Sequence, residues 1–154
     1  MSVPILKPGK SYTFSKYFEL PYVPEDILAE FNCKLQRQKL NLPKYSGQIK
    51  CLEFLNNYLQ RNLNYINPTS EAARREILIA PTLIEVCAET HSQLNIEYPV
   101  NVNERLKGTF DYYINSNVGM LVIEAKQADL SRGFTQLAIE LIALDQWTES
   151  ENSV

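Results

Sequence analysis

The stretch that decides the fold is KGTFDYYINSNVGMLVIEAK, residues 107–126. Two segments rich in β-branched and aromatic residues, KGTFDYYIN and VGMLVIEAK, flank the polar dipeptide Ser116-Asn117. Two such segments separated by two polar residues predict a β-hairpin. The second segment is apolar at every position from Met120 to Ile123, which is typical of a strand covered on both faces of its sheet. We therefore expect a hairpin whose second strand is central and buried.

The register of this hairpin brings three ionisable residues to one end of it. If Asn115 and Val118 flank the loop, Asp111 and Glu124 are diagonal neighbours on one face, with Cα atoms roughly 7–8 Å apart. Lys126 lies two residues after Glu124 and points to the same face. Two carboxylates at this spacing can share a divalent cation, since Mg²⁺ is commonly held by one or two carboxylates, water and substrate phosphate. A neighbouring lysine can orient or deprotonate a water molecule, or stabilise charge that develops on a phosphoryl group.

Outward from the hairpin, hydrophobic periodicity and turn residues predict the remaining elements. They are an extended aromatic arm at residues 1–23, a helix from Pro24 to about Asn41, a helix from about Ser46 to Leu63, a helix from Ser70 to about His91 with a kink near Ala80, a strand at Leu94–Val100, and a helix from Asp129 or Ser131 to about Trp147. In the last helix we expect the core-facing residues to be Phe134, Leu137, Leu141 and Leu144. The arm and first two helices, residues 1–66, are expected to pack on a core of residues 67–154 in one compact domain.

Length, charge and hydropathy narrow the class of protein. The chain has 154 residues, 45% of them hydrophobic, which corresponds to one soluble domain. Its formal net charge of −3 argues against a generally basic nucleic-acid-binding surface, although a local basic cleft remains compatible with it. No apolar run is long enough to span a bilayer, and the first residues lack the apolar stretch of a signal peptide. We therefore expect a cytoplasmic protein without membrane contact.

The cysteine and histidine content excludes several kinds of active site. Cys33, Cys51 and Cys87 lie far apart and form no CxxC pair, so we interpret them as buried reduced thiols. A single histidine, His91, excludes HExxH proteases and multi-histidine metal centres. The five glycines form neither a GxGxxG nor a P-loop pattern. Any chemistry is therefore expected to depend on carboxylates and lysine, with a hard metal ion as their natural ligand.

The combination of GTFDYYI (108–114) and IEAK (123–126) resembles the D…(D/E)xK signature of the PD-(D/E)XK nuclease superfamily, which has the restriction-endonuclease-like fold. The resemblance extends from Ser70 to Trp147, where the order helix, three strands, helix is similar to the core of that fold. More loosely, the chain resembles a group of such proteins that is common in cyanobacteria. The resemblance implies an α/β fold of the α+β kind, with a mixed sheet in a three-layer core. It also implies a Mg²⁺- or Mn²⁺-dependent phosphodiester hydrolase that acts on DNA.

The resemblance also implies roles for individual residues. Asp111 and Glu124 would bind the metal, and the Ala125 carbonyl is a possible further ligand. Lys126 would be the catalytic lysine. Glu76 matches the acidic residue that many members place near the metal, although an exposed helix position beside two arginines explains it as well.

Other polar residues around the signature have weaker interpretations. Gln136 resembles the glutamine that some members carry on the helix after the lysine, and its alternative is an ordinary polar position on that helix. Four basic residues could hold phosphates around the site, although a solvated surface explains each of them equally: Arg74, Arg75, Lys107 and Arg132.

Two features depart from the family pattern. The proline that normally precedes the aspartate is Phe110 here. No strand follows the last predicted helix, whereas the family core ends with one beside the strand that carries ExK. The apolar strand Val118–Lys126 would then be an exposed edge, which favours pairing with a second chain, and we therefore expect a homodimer or larger assembly. The N-terminal arm, or a longer parent chain, could cover this edge instead.

The sequence leaves three functional interpretations open. The intact trio favours a nuclease, which is the first of them. The missing strand and the acidic charge favour a non-catalytic restriction-endonuclease-like domain used as a binding or assembly module. A plain structural domain, the third interpretation, requires the trio to be accidental.

Overall fold

In the computed structural model, which describes residues 4–126 and 128–151, the chain is an α+β structure with one three-stranded sheet. The class predicted from the sequence is therefore confirmed at this level. The described elements are α1 Phe14–Glu19, α2 Pro24–Ala29, α3 Leu52–Leu63, α4 Glu71–Arg74, a π-helical turn at Arg75–Ile79, α5 Ala80–Thr90, β1 Gln93–Asn103, β2 Leu106–Ser116, β3 Gly119–Ile123 and α6 Leu130–Glu151.

The sheet is a meander with strand order β1-β2-β3. Two-residue loops join its strands, so neighbouring strands run antiparallel. The second loop is Asn117-Val118, one residue later than predicted, and the Ser116 hydroxyl donates to the Gly119 carbonyl over 2.9 Å beside it. A hairpin closed on Ser116 and Gly119 places Asp111 across from residue 124 instead of diagonal to it. The two side chains remain on one face, because the shift preserves the alternation of the strand.

Strand β3 is less buried than its composition predicted. Val122 is buried, but Met120 and Leu121 are each about half exposed. The expectation that β3 is covered on both faces is therefore wrong for its first half. Among the described residues no strand pairs with the outer edge of β3, so the sheet ends there as the sequence indicated.

The N-terminal arm packs on the sheet through its aromatic rings, as predicted. Thr13 forms a parallel bridge with Lys107 of β2, and Phe14 stacks on Phe110 with ring centroids 5.4 Å apart. Gly108 makes this close approach possible, because a Cβ atom there would lie 2.7 Å from the Phe14 ring. The arm therefore contacts β2 and leaves β3 as the edge.

Helix α2 begins at Pro24 as predicted, but it ends at Ala29 and does not continue towards residue 41. Asn32 adopts a left-handed conformation with φ of 58°, and the amide of Cys33 donates back to the Leu28 carbonyl over 3.0 Å. A left-handed asparagine after the last turn is a common helix terminator. The helix therefore ends before Asn32, although the apolar spacing of the sequence continues beyond it.

The next predicted helix begins later than expected, whereas the bounds of the helix predicted after it agree with the structure. Helix α3 begins at Leu52 instead of Ser46, and none of its residues is buried. Ser70 caps α4 as predicted, since its hydroxyl accepts from the Ala73 amide over 3.1 Å. The expected interruption before Pro81 is confirmed as a π-helical turn that leads into α5 at Ala80. A π-helical turn is a recognised way to interrupt the regular hydrogen-bond ladder of a helix.

Helix α6 begins after Asp129, whose carboxylate accepts from the Arg132 amide over 3.2 Å. The predicted core face is wrong for two residues, since Phe134 is 63% and Leu141 49% exposed. The buried face carries Thr135, Gln136, Ile139, Glu140, Ala143 and Leu144. Three polar residues on the inner face, Thr135, Gln136 and Glu140, explain the error, because a pattern of apolar side chains cannot reveal them.

The described chain divides into two compact units. The first consists of the described parts of Met1–Gln38, Ile96–Tyr112 and Val122–Val154, and α1 and α2 pack against α6 within it. The second consists of Lys39–Asn95 and Tyr113–Leu121. Across the described residues, no helix combines the length and apolarity that crossing a membrane requires.

Candidate functional site

The candidate site lies in the first unit, where the ends of β2 and β3 meet α6. Asp111 is on β2, and its Oδ2 accepts a hydrogen bond of 2.9 Å from the Ala125 amide. This bond joins β2 to the residue between Glu124 and Lys126, directly after β3. The structure therefore brings Asp111, Glu124 and Lys126 together at one end of the sheet, as the predicted hairpin led us to expect.

Glu124 is the centre of the polar network. Its side chain is only 3% exposed, and its Oε1 accepts hydrogen bonds from the Lys126 ammonium and, over 2.7 Å, from the Gln136 amide. A carboxylate buried to this extent needs such partners, since an unpaired charge in the interior is very costly. The structure therefore brings together four of the residues that the sequence singled out, Asp111 among them.

Lys126 is held by apolar groups as well as by its ion pair. Its side chain is 16% exposed, and its ammonium lies 5.4 Å from the centroid of the Phe18 ring of α1, within the range of a cation–π contact. Gly133 of α6 faces the stem of the lysine, where a Cβ atom would be 3.0 Å from Lys126 Cγ. The N-terminal arm and the first turn of α6 thus fix the position of the ammonium.

Glu140 belongs to the same network, and sequence reasoning missed it. It lies one turn after Gln136 on α6 and is fully buried. The Gln136 Nε2 donates to Glu140 Oε1 over 2.9 Å and to Glu124 over 2.7 Å, so one amide bridges two carboxylates. The i, i+4 spacing after a recognised Gln136 was the available signal, because residues four apart share a helix face.

Burial changes the acidity of both glutamates. It raises the pKa of Glu124, an effect that the Lys126 hydrogen bond opposes and the Asp111 charge reinforces. Burial and the nearby Glu124 carboxylate raise the pKa of Glu140 to about 9. Desolvation and a neighbouring like charge both disfavour the ionised form of a carboxyl group. Both buried glutamates are therefore protonated more readily than an exposed carboxylate.

Within the part of the chain that the structure describes, three buried oxygen atoms of the network have no hydrogen-bond donor: Glu124 Oε2, Gln136 Oε1 and Glu140 Oε2. All three are acceptors, so only water, a proton or a cation can satisfy them. Carboxylate and amide oxygens are the ligands that Mg²⁺ and Mn²⁺ prefer. The donor chemistry therefore fits a hard divalent cation. Within the described part of the chain, no group of three or more His, Cys, Asp or Glu side chains has the arrangement of a complete metal site.

The other predicted residues have local partners or lie in the second unit. In the first unit, the Lys107 ammonium pairs with Glu104 over 2.8 Å, and Arg132 pairs with Asp129 over 3.2 Å. Both pairs are adequate explanations of these basic side chains without a phosphate ligand.

In the second unit, Arg74 Nε donates to the Pro68 carbonyl over 2.9 Å, and Arg75 begins the π-helical turn. Glu76 is an exposed residue of that turn. The histidine, His91, ends α5 in a left-handed conformation, one position after the predicted last turn.

The three cysteines are reduced, as predicted, although only Cys87 is buried and Cys33 and Cys51 are half-buried.

Comparisons with protein-family models, with curated proteins and with solved structures found no match to this chain. The functional argument therefore depends on the geometry of the site and on the resemblance of its motif.

Proposed function

We propose that this protein is a metal-dependent phosphodiester hydrolase of the PD-(D/E)XK type that acts on DNA. The observation that carries the proposal is the convergence of Asp111, Glu124, Lys126 and Gln136 at one end of the hairpin. The motif spacing predicts this grouping from the sequence, and an accidental D…ExK match would not require it. The unpartnered buried oxygens add to the support, because they fit the ligand chemistry of Mg²⁺ or Mn²⁺.

In this proposal Asp111 and Glu124 hold the cation. When bound, the cation supplies Lewis-acid stabilisation of the charge that develops on the phosphoryl oxygens. Lys126 Nζ holds a proton in hydrogen-bonding contact with Glu124, and from there it can stabilise that charge or exchange a proton with an attacking water. Gln136 keeps Glu124 in place by donating to the same oxygen as Lys126.

Each proposed role uses an observed contact. The Asp111–Ala125 hydrogen bond fixes the spacing between the β2 carboxylate and the ExK segment. The Phe18 ring contacts the Lys126 ammonium and Gly133 faces the lysine stem, so the ammonium needs little reorganisation when charge develops nearby. Preorganised charge of this kind is the largest single contribution to many enzymatic rate enhancements.

One observation favours the second candidate, a non-catalytic module. Glu124 Oε1 already accepts from both Lys126 and Gln136, so this oxygen is satisfied without any cation. A module of this kind would use its surface for binding or assembly and would show no hydrolysis. The two candidates differ in one measurable property, namely cleavage of the phosphodiester bond.

The test is cleavage of supercoiled plasmid by purified protein with Mg²⁺, with Mn²⁺ and with EDTA. We expect nicked or linear product only with metal, and a rate that falls at least about 100-fold in Asp111→Asn. Asp145→Asn is the matched control, since Asp145 is an exposed carboxylate on α6 and its change should leave the rate unaltered. Equal cleavage by Asp111→Asn, or no cleavage by the wild type with either metal, would refute the proposal.

A further inference from the structure

The proposed mechanism gives no role to Glu140, a buried carboxyl group of the same network. Glu140 is fully buried on α6, and the only described donor to its carboxyl group is the Gln136 amide at 2.9 Å. Its carboxyl group is also within hydrogen-bonding reach of the Glu124 carboxyl. Buried carboxylates are rare in folded proteins unless they are paired or bind a metal.

The two carboxyl groups are arranged alike. Each uses Oε1 to accept from the Gln136 amide, and each has a buried Oε2 without a donor. A single amide nitrogen thus fixes both groups from one side and leaves two unsatisfied oxygens. Buried unsatisfied acceptors in a native protein indicate a missing partner, such as an ion.

The charges agree with a divalent partner. When both carboxyl groups are ionised, Glu124 and Glu140 carry two negative charges, and the Lys126 ammonium hydrogen-bonds to Glu124. A divalent cation between the two carboxylates balances the charge of this pair. Two carboxylates and water are also a sufficient ligand set for Mg²⁺, so a cluster of three acidic residues is not required.

We propose that Glu140 is a ligand of the divalent-cation site and coordinates through Oε2 together with Oε2 of Glu124. This inference rests on the metal dependence of the proposed function and adds a ligand that the D…ExK motif does not contain. Gln136 then acts as a positioning residue, because its amide orients both carboxylates through their other oxygens.

The test is isothermal titration of metal-free protein with Mn²⁺, which needs no substrate and no activity. We expect one site per chain in the wild type and at least about 10-fold weaker binding in Glu140→Gln, since even groups around metal ligands contribute 10–100-fold to affinity. Glutamine keeps the size of the side chain and can still accept from Gln136. Asp145→Asn, an exposed change on the same helix, should bind within about twofold of the wild type.

The outcomes separate the inference from the proposed function. Wild-type affinity in a folded Glu140→Gln variant would overturn the role of Glu140 and leave metal-dependent cleavage standing. Tight Mn²⁺ binding that is lost in this variant, without any DNA cleavage by the wild type, would support the ligand and refute the nuclease. No Mn²⁺ binding by the wild type would contradict both. If Glu140→Gln does not fold, Glu140→Asp replaces it in the titration. Aspartate is one methylene shorter, so its carboxylate lies farther from the cation, and an unchanged Mn²⁺ affinity of this variant would also overturn the inference.

Discussion

Replacement of Glu140 by Gln should change how the stability of the metal-free protein depends on pH. Burial raises the pKa of Glu140 in the folded state to about 9, against an ordinary value of 4.5. Between these values the unfolded chain releases a proton that the folded protein retains. The stabilisation is therefore complete below about pH 4.5 and is lost as the pH rises towards 9.

The magnitude follows from proton linkage. One proton retained by the folded state lowers the free energy of unfolding by about 1.4 kcal/mol for each unit by which the pH rises, so the wild type should lose about 2–3 kcal/mol between pH 6 and pH 8. Glu140→Gln removes this contribution and should flatten the dependence.

The assay is urea denaturation in EDTA at pH 6, 7 and 8, with Asp145→Asn as the control that keeps the wild-type slope. At pH 8 the Glu140→Gln variant should be more stable than the wild type, since it no longer carries a buried acidic group. Identical slopes in the wild type and in Glu140→Gln would refute the reasoning, as would a wild-type stability that rises from pH 6 to pH 8.

Three further predictions concern the fold. Gly108→Ala should lower the free energy of unfolding by about 2 kcal/mol or more, because its φ of +148° is strained for alanine and the new Cβ meets the Phe14 ring. Gly9→Ala is the control, and it should cost about 1 kcal/mol because the space around Gly9 is open. Equal losses for the two variants in urea denaturation would contradict this reasoning. Ser70→Ala should cost about 1 kcal/mol by removing the cap of α4, and an unchanged denaturation midpoint would argue against the cap. Sedimentation equilibrium should reveal a dimer or larger assembly formed through the open edge of β3, and a monomer at tens of micromolar would exclude it.

The hairpin was predictable because its signals are local. Alternation of apolar residues, a two-residue polar loop and the spacing of Asp111, Glu124 and Lys126 all act within 20 residues of sequence. The loop lies one residue away from its predicted position, yet the face shared by the carboxylates is unchanged, since it depends only on alternation. The core of the site therefore follows from sequence alone.

The prediction of the inner face of α6 failed because that face depends on tertiary contacts. Helix α6 turns Gln136 and Glu140 inward and leaves Phe134 exposed, an arrangement opposite to its apolar pattern. It is stable because the Gln136 amide donates both to Glu140 and to Glu124, a residue outside the helix. Periodicity detects apolar faces, and it cannot detect a face whose polar groups are satisfied by distant partners. Glu140 was missed for this reason.

Of two other errors in the predicted fold, one had a usable local signal in the sequence and one did not. Helix α2 ends early because Asn32 takes a left-handed conformation, and asparagine is a known terminator at this position. The apolar residues that follow it suggested a longer helix. The exposure of Met120 and Leu121 had no such signal, because an apolar run on an edge strand has the same composition as one on a central strand.

The most direct test of the central claim is the rate of plasmid cleavage with Mg²⁺ by Lys126→Met, compared with Lys16→Met. Methionine keeps most of the length of the side chain and removes the ammonium, while Lys16 is an exposed lysine of α1 paired with Glu19. If Lys126 acts on charge or on a proton at the reacting phosphate, its loss should lower the rate at least about 100-fold in a protein that remains folded by circular dichroism. Lys16→Met should cleave within about twofold of the wild type. Cleavage by folded Lys126→Met at the wild-type rate would contradict the account.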